Sequence, residues 1–305
     1  MKIGFGLPVS GAWATPQNIA SVATRAEEAG YSSLWSFQRL LVPEGSGMEP
    51  VYQSVLDPMA ALSFAAAVTS RVRLGVAVIN APFVSPMYLG KQAASLDILS
   101  AGRHDLGIGL GWMPQEFAAT NASMERRGAR MTEYVQVLRT IWGEQPTEFS
   151  GEFYTVPRGL VAPSPTTPGG PPILLGGTAP VALRRVGRIS DGWVTSSRAD
   201  LSKISESIAI VRGAAAEAGR DAEALRIICR GVVRFGEPVS GPEGRLPLSG
   251  SEAEIRGDFE RLADNGVTEV FLDLNWDSQI GAPDADPKVA ADRAAMLLDV
   301  LRPAG

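Results

Sequence analysis

The sequence is poor in the residues that most often do chemistry on their own. It has one histidine, His104, and one cysteine, Cys229. A disulfide within the chain and a cysteine-rich zinc site are therefore excluded. A histidine-rich metal site is excluded too, so no metal is expected. A Ser-His-Asp triad would have to be built on His104. No apolar run reaches the roughly 18 residues of a membrane-span candidate. The opening residues, 1–6, read as a strand and not as a signal peptide. A cytoplasmic protein without membrane contact is expected. The net charge of −5 argues against a nucleic-acid partner. Lysine is scarce as well: four (Lys2, Lys91, Lys203, Lys288) of the 28 basic residues, so arginine carries most of the positive charge.

What is present is a regular alternation. Short apolar runs at 3–9, 33–37, 72–79, 104–111, 173–175, 192–195, 225–233 and 267–274 read as strands. Amphipathic segments at 16–29, 57–69, 86–99, 128–142, 180–187, 201–218, 251–265 and 287–301 read as helices. Thr15 with Pro16, and Ser251 with Glu254, are helix-start signals, the second pair as a capping box. Eight βα units in strict order predict an α/β protein, a (β/α)8 TIM barrel with irregular insertions at about 38–56, 143–170 and 236–250. One domain over 1–305 is expected.

In such a barrel the chemistry sits at the C-terminal ends of the strands. The residues just beyond those ends include Trp13, Gln38, Arg39, Asn80, Phe83, Trp112, Gln115, Glu116, Gly176, Gly177 and Thr178. His104 starts its strand, at the opposite end, so its expected role is structural, a hydrogen bond to a loop. The run 172–180, PILLGGTAP, is a buried strand, a glycine pair and a helix start, the pattern of a tight turn or of a phosphate site. The run 107–111, GIGLG, lacks the register of a dinucleotide fingerprint. Its small residues would leave room beside the strand for a flat ring. Trp35 reads as core, and Arg126, Arg127, Arg130 and Glu133 as structural ion pairs.

Several segments in order carry a family resemblance: AEEAGYSSLW at 26–35, TSRVRLG at 69–75, KQAASLDILS at 91–100, Gly102-Arg103 with GIGLG, GEFY at 151–154, PPILLGG at 171–177 and SDGW at 190–193. Together they span nearly the whole chain. The sequence resembles the luciferase-like monooxygenase superfamily, and within it the oxidoreductases that depend on the deazaflavin coenzyme F420. The resemblance implies a deazaflavin or flavin at the barrel mouth, with its phosphate near Gly176, Gly177 and Thr178. It implies a non-proline cis peptide on the third strand behind the ring, by position Ala77–Val78. Asn80 and Gln115 are then contacts to the ring or its ribityl chain. Arg39, Arg158, Arg184, Arg185 and Arg188 are candidates for the phosphate or an acidic cofactor tail. Trp13, Phe37, Arg39, Phe83 and Trp112 are the expected substrate pocket.

The sequence departs from the family at one informative place. Where many deazaflavin-dependent members have an acidic residue and a histidine after the second strand, this chain has Phe37 and Gln38. Glutamine donates and accepts hydrogen bonds but does not titrate. The catalytic candidates are thus Gln38 and the nearby titratable Glu116. The function expected from the resemblance is hydride transfer between coenzyme F420 and a small organic substrate. The alternatives are an FMN-dependent two-component monooxygenase, served by a separate reductase that supplies reduced cofactor, or a degenerate cofactor-binding member without turnover. A homodimer through the helices near strands two and three is also implied.

Overall fold

The computed structural model describes residues 1–238 and 245–303. Helix starts are fixed by side chains. Thr15 accepts from the Asn18 N–H and Pro16 takes the first position of α1 (Pro16–Glu28), whose Ile19, Val22, Ala23 and Ala26 are buried. Asp57 and Ser85 cap α2 (Pro58–Val68) and α3 (Pro86–Leu99) in the same way. Next come α4 (Pro114–Ala119), α5 (Arg127–Trp142), α6 (Pro180–Ile189) and α7 (Ile204–Glu217). The Ser251–Glu254 capping box starts α8 (Glu252–Asp264), and Asp286 caps α9 (Pro287–Val300).

The strands are β1 (Lys2–Gly6), β2 (Ser33–Ser36), β3 (Arg73–Val76), β4 (Ile79–Asn80), β5 (His104–Gly109), β6 (Thr147–Ser150), β7 (Thr155–Gly159), β8 (Ile173–Gly176), β9 (Gly192–Val194), β10 (Arg226–Val232), β11 (Arg234–Phe235), β12 (Ser249–Gly250) and β13 (Glu269–Asp273). The barrel runs β1, β2, β3/β4, β5, β8, β9, β10, β13 and back to β1, with every pair parallel. Closure is made by Leu74 opposite His104 and Gly75 opposite Asp105. This is the (β/α)8 barrel expected from the alternation.

Three differences from the sequence reading stand out. The third barrel strand is not continuous over 72–79 but breaks between β3 and β4, where the Ala77–Val78 peptide is cis. The insertion at 143–170 contains an antiparallel hairpin, β6 with β7. The short helix α4 follows the fourth barrel strand. The insertion at 236–250 ends in β12, which pairs with β11; its residues 239–244 lie outside the described residues, as do 304–305 of the expected domain.

Side chains alternate between the two faces of each strand. Outward residues such as Leu34, Leu74, Leu106, Ile173, Cys229 and Leu272 join the helices in one apolar layer. Burial pushes the Cys229 thiol up, so it stays protonated there. Inward residues form a second cluster, with Trp35 stacked on Phe271 (centroids 5.0 Å, planes 15° apart) beside Leu174, Val194 and Ile228. A Cβ at Gly75 would run into the Trp35 ring, so glycine there makes room for it.

Below the rings the barrel interior is charged. Asp105 is fully buried and accepts from Arg73 Nε (2.8 Å) and Nη2 (2.6 Å) and from Arg226 Nη1 (2.6 Å) and Nη2 (3.0 Å). Arg226 also donates to Glu269 (3.3 Å), which accepts from Ser33 Oγ (2.5 Å) and Trp35 Nε1 (2.9 Å). Burial alone would raise the Asp105 carboxyl; the two guanidiniums overcome it and hold it below its ordinary value. His104 lies beside this layer, at the closed end of the barrel. Its Nδ1 meets the Leu74 carbonyl at 3.0 Å, a strand partner and not the expected loop. Burial pushes its imidazole down, toward the neutral form.

Asp105→Asn keeps the shape and removes the charge that both arginines face. It should cost about 3 kcal/mol of stability, the lower end for breaking a buried pair, since the arginines are partly exposed. A carboxyl with a lowered pKa stabilises only while ionised. The difference from wild type should therefore be full above about pH 5 and shrink as pH falls through the Asp105 pKa. Urea unfolding midpoints at neutral pH and near pH 3 check this; an unchanged midpoint at neutral pH contradicts it.

Candidate active site

At the C-terminal ends of the strands lies an open cavity of about 660 Å³, within the range of small-molecule and cofactor sites. Its floor is the break in the third strand. Val78 points its methyls at two walls: a Cβ at Gly109 would sit 2.7 Å from Val78 Cγ2, and one at Gly176 would sit 3.3 Å from Val78 Cγ1. A Cβ at Gly107 would strike the Val76 carbonyl. The glycines of the 107–111 run thus first make room for the chain's own bulge, not directly for a flat ring. Gly109 and Gly111 do border the cavity.

One wall is the turn Gly176, Gly177, Thr178 leading into α6. Gly177 brings this turn against the helix: a Cβ on it would lie 2.7 Å from Ala182 Cβ. Trp193 Nε1 fixes the Gly177 carbonyl at 2.9 Å. Ala179, the residue before the helix, has no capping side chain; Pro180 has no N–H and the Ala182 N–H donates to the Ala179 carbonyl at 2.8 Å, which leaves the Val181 N–H as the donor of the first turn.

The opposite wall follows β2. Phe37 and Gln38 line it. Gln38 Oε1 accepts from the Asn80 N–H at 2.9 Å, which leaves its Nε2 as a donor without a partner among the described residues. Arg39 also lines the cavity and is clamped: Nη1 donates to Glu116 Oε2 at 2.9 Å, and the guanidinium carbon lies 4.5 Å from the Tyr52 centroid and 5.1 Å from that of Trp112. Trp112 is the half-exposed rim.

Other candidates lie elsewhere. Glu116 is wholly buried and does not line the cavity; its Oε1 accepts from the Leu40 N–H (2.9 Å) and the Leu41 N–H (3.4 Å). It pins the 38–56 loop to α4 instead of facing a ligand. Trp13 is wholly buried, outside the lining. Phe83 packs edge-on to Phe117 at 4.9 Å, and Gln115 is exposed on α4; neither borders the cavity. Arg158, Arg184, Arg185 and Arg188 do not line it either. Of the residues read as ion pairs, Arg126 pairs with Glu152, while Glu133 takes the N–H groups of Glu152, Phe153 and Tyr154. Arg127 instead reaches the cavity and donates to the Gly111 carbonyl at 2.7 Å.

The sequence reading missed Tyr52, Thr195 and Arg230 and gave Arg127 an ion-pair role; all four line the cavity, as does Arg198, which the sequence places beyond the sixth strand. Arg230 carried a signal: a charge inside an otherwise buried apolar strand, in step with the inward Arg226 and Ile228. The lining includes Arg39, Arg127, Arg198 and Arg230 and, among the described residues, no aspartate, glutamate or histidine. Three of the four are paired with carboxylates outside the lining, Arg39 with Glu116, Arg198 with Glu49 and Arg230 with Asp273, so Arg127 carries most of the positive charge left for an anionic ligand.

A model of the luciferase-like monooxygenase family matches residues 4–239. An uncharacterized protein of Mycobacterium tuberculosis is 30% identical over 87% of this chain and 88% of its own length. An F420-dependent glucose-6-phosphate dehydrogenase of Kineococcus radiotolerans is 29% identical over 68% of this chain and 60% of its own. The crystal structure of a monooxygenase from Streptomyces bottropensis superposes with a TM-score of 0.78 at 22% identity, covering 99% of this chain and 98% of that one. At that identity it speaks for the fold.

The Arg39–Glu116 pair gives a direct test of the rim. Both side chains are nearly inaccessible, 6% and 1% exposed. Glu116→Gln keeps the size but faces Arg39 with a neutral amide, and should cost about 3 kcal/mol. The cost should appear locally, as faster hydrogen exchange at the Leu40 and Leu41 amides. Unchanged exchange there would show that Glu116 does not hold the loop.

Proposed function

This chain belongs to the luciferase-like monooxygenase family, and from that premise we propose that it transfers a hydride between coenzyme F420 and a small organic substrate at the barrel mouth. The observation that carries the reading is the cavity's donor-rich lining: a helix start without a capping side chain beside a glycine turn, Arg127, and three more arginines whose carboxylate partners Glu116, Glu49 and Asp273 stand outside the described lining. A phosphate-bearing cofactor with an acidic tail suits that lining. Kinship with a protein named an F420-dependent dehydrogenase supports the deazaflavin over FMN.

In this reading Ala77 and Val78 back the cofactor ring, with Asn80 beside them. Gly176, Gly177 and Thr178 with the start of α6 take the phosphate, and Arg127 the remaining negative charge, Arg198 being held by Glu49. The bound cofactor supplies the carbon that gives or accepts a hydride. The protein's own part is placement and polarisation. Gln38, oriented by the Asn80 N–H, offers a donor to a substrate oxygen and cannot act as a general base. Phe37, Arg39 and Trp112 shape the substrate side, and Tyr52 supports Arg39. Glu116 acts through Arg39 as a positioning residue and not on the substrate.

The second reading, an FMN-dependent monooxygenase fed by a separate reductase, is supported by the family's own description and uses the same walls. A homodimer belongs to both readings, through α2 and α3, where Phe64, Val68, Met87 and Tyr88 are exposed. Among the described residues no helix is long and apolar enough to cross a membrane, and we infer a cytoplasmic location.

Titration of the purified protein with coenzyme F420 and with FMN, followed by cofactor fluorescence, separates the readings. F420 is expected to bind more tightly. Gly176→Val, which places methyls against Val78, should weaken that binding by about tenfold or more. Binding of FMN alone would overturn the deazaflavin reading, and binding of neither would overturn both, in favour of a degenerate member or a different cofactor.

A further inference from the structure

One guanidinium at the cavity is held on every side but one. Arg230 is 7% exposed and lines the cavity from β10. Its Nε donates to Asp273 Oδ2 at 2.7 Å and its Nη1 to the Ala77 carbonyl at 3.3 Å. Its central carbon lies 4.4 Å from the Phe37 centroid and 5.7 Å from that of Trp276. Asp273 is itself fixed: its other oxygen accepts from the Asn275 N–H at 3.1 Å and from its side-chain amide at 2.9 Å. Arg230 Nη2 is buried and has no hydrogen-bond partner.

An unmade hydrogen bond on a buried charged group is among the costlier defects a fold can keep. The side chain cannot turn to repair it without breaking the Asp273 pair. Nor do its neighbours in the cavity lining offer an acceptor. Gln38 has its oxygen committed to Asn80 and presents an amide donor. The Thr195 hydroxyl accepts from the Arg230 main-chain N–H at 2.9 Å and makes no bond to Nη2. The missing acceptor comes from outside the described residues: water in the cavity, or a ligand that takes its place.

We propose that Arg230 Nη2 recognises a ligand oxygen bearing negative charge, either a carboxylate or polarised carbonyl of the substrate or a ring carbonyl of the bound cofactor. The assignment rests on reading this cavity as the active site. It makes Arg230 a binding residue whose geometry is set by Asp273 and Ala77, and it restricts substrates of the first kind to molecules with such an oxygen near the reacting carbon.

The test uses benzoate as a flat carboxylate probe, titrated by calorimetry into wild type, Arg230→Lys and Arg230→Met. Because Arg230→Met strands the buried Asp273, a fourth protein, Arg230→Met with Asp273→Asn, removes both charges and keeps the fold accessible to measurement. The two-electron midpoint potential of bound cofactor is read on the same set. If the oxygen comes from the substrate, benzoate affinity falls roughly ten- to hundredfold without Arg230, with partial recovery in Arg230→Lys. If it comes from the cofactor, benzoate is unaffected and the potential falls by about 30 mV for each tenfold of preference for the reduced form that is lost. Folded variants with unchanged benzoate affinity and unchanged potential overturn the proposal. The benzoate titration needs no cofactor: a protein that binds it through Arg230 but takes neither F420 nor FMN would keep this inference and lose the deazaflavin reading.

Discussion

A single buried carboxyl holds the barrel together at the end away from the cavity. Asp105 sits inside the ring and receives four charge-assisted hydrogen bonds from Arg73 and Arg226. Through Arg226 and Glu269 the same network reaches Ser33 and Trp35. Strands from opposite sides of the ring are thereby joined across its interior, where parallel hydrogen bonding links neighbours alone. A buried charge is tolerable only when its attraction and hydrogen bonds repay its lost hydration, and here every oxygen of Asp105 is used. The Trp35–Phe271 stack rests directly above this layer and separates it from the mouth.

The mouth uses the same kind of pair for a different end. The arginines of Arg39–Glu116 and Arg230–Asp273 are more buried than Arg73 and Arg226 at the base. The carboxyls of both pairs, unlike Asp105, are also shared with main-chain N–H groups. The arginines differ from those at the base, because Arg230 Nη2 and Arg39 Nε are buried without a partner among the described residues. At the base both oxygens of Asp105 are saturated, while the mouth keeps arginine donors in reserve. That asymmetry between the ends of one barrel is the physical content of the rule that stability lies at the N-terminal face and chemistry at the C-terminal face.

Most of the fold was legible because its signals are local. Thr15 before Pro16 and Ser251 before Glu254 start helices by bonds within one turn, and the structure makes those bonds. Val72 to Ile79 read as one strand because the residues around the break are as apolar as the strand; nothing in their pattern marks it, and it came from the family resemblance. The hairpin of β6 and β7 was hidden by Pro157, by its brevity and by its half-exposed sides. The site was less legible. Gly176 to Thr178 follow a buried strand and could be placed by position. Glu116 could not, since a carboxyl one turn into α4 reads the same whether it faces a ligand or pins Leu40. Arg230 was marked by a charge within an apolar run, but its partner, Asp273, lies 43 residues on.

The packing around Val78 has a consequence for how such a cavity can change. Its methyl groups are the nearest side-chain atoms to the space left open at Gly109 and Gly176. The depth of the cavity is therefore set largely by the volume of one side chain, while its width is set by loops attached elsewhere on the barrel. Depth and width can then drift independently across generations: one position acts as a threaded stop beneath whatever the site holds, and the loops resize its opening without disturbing that stop.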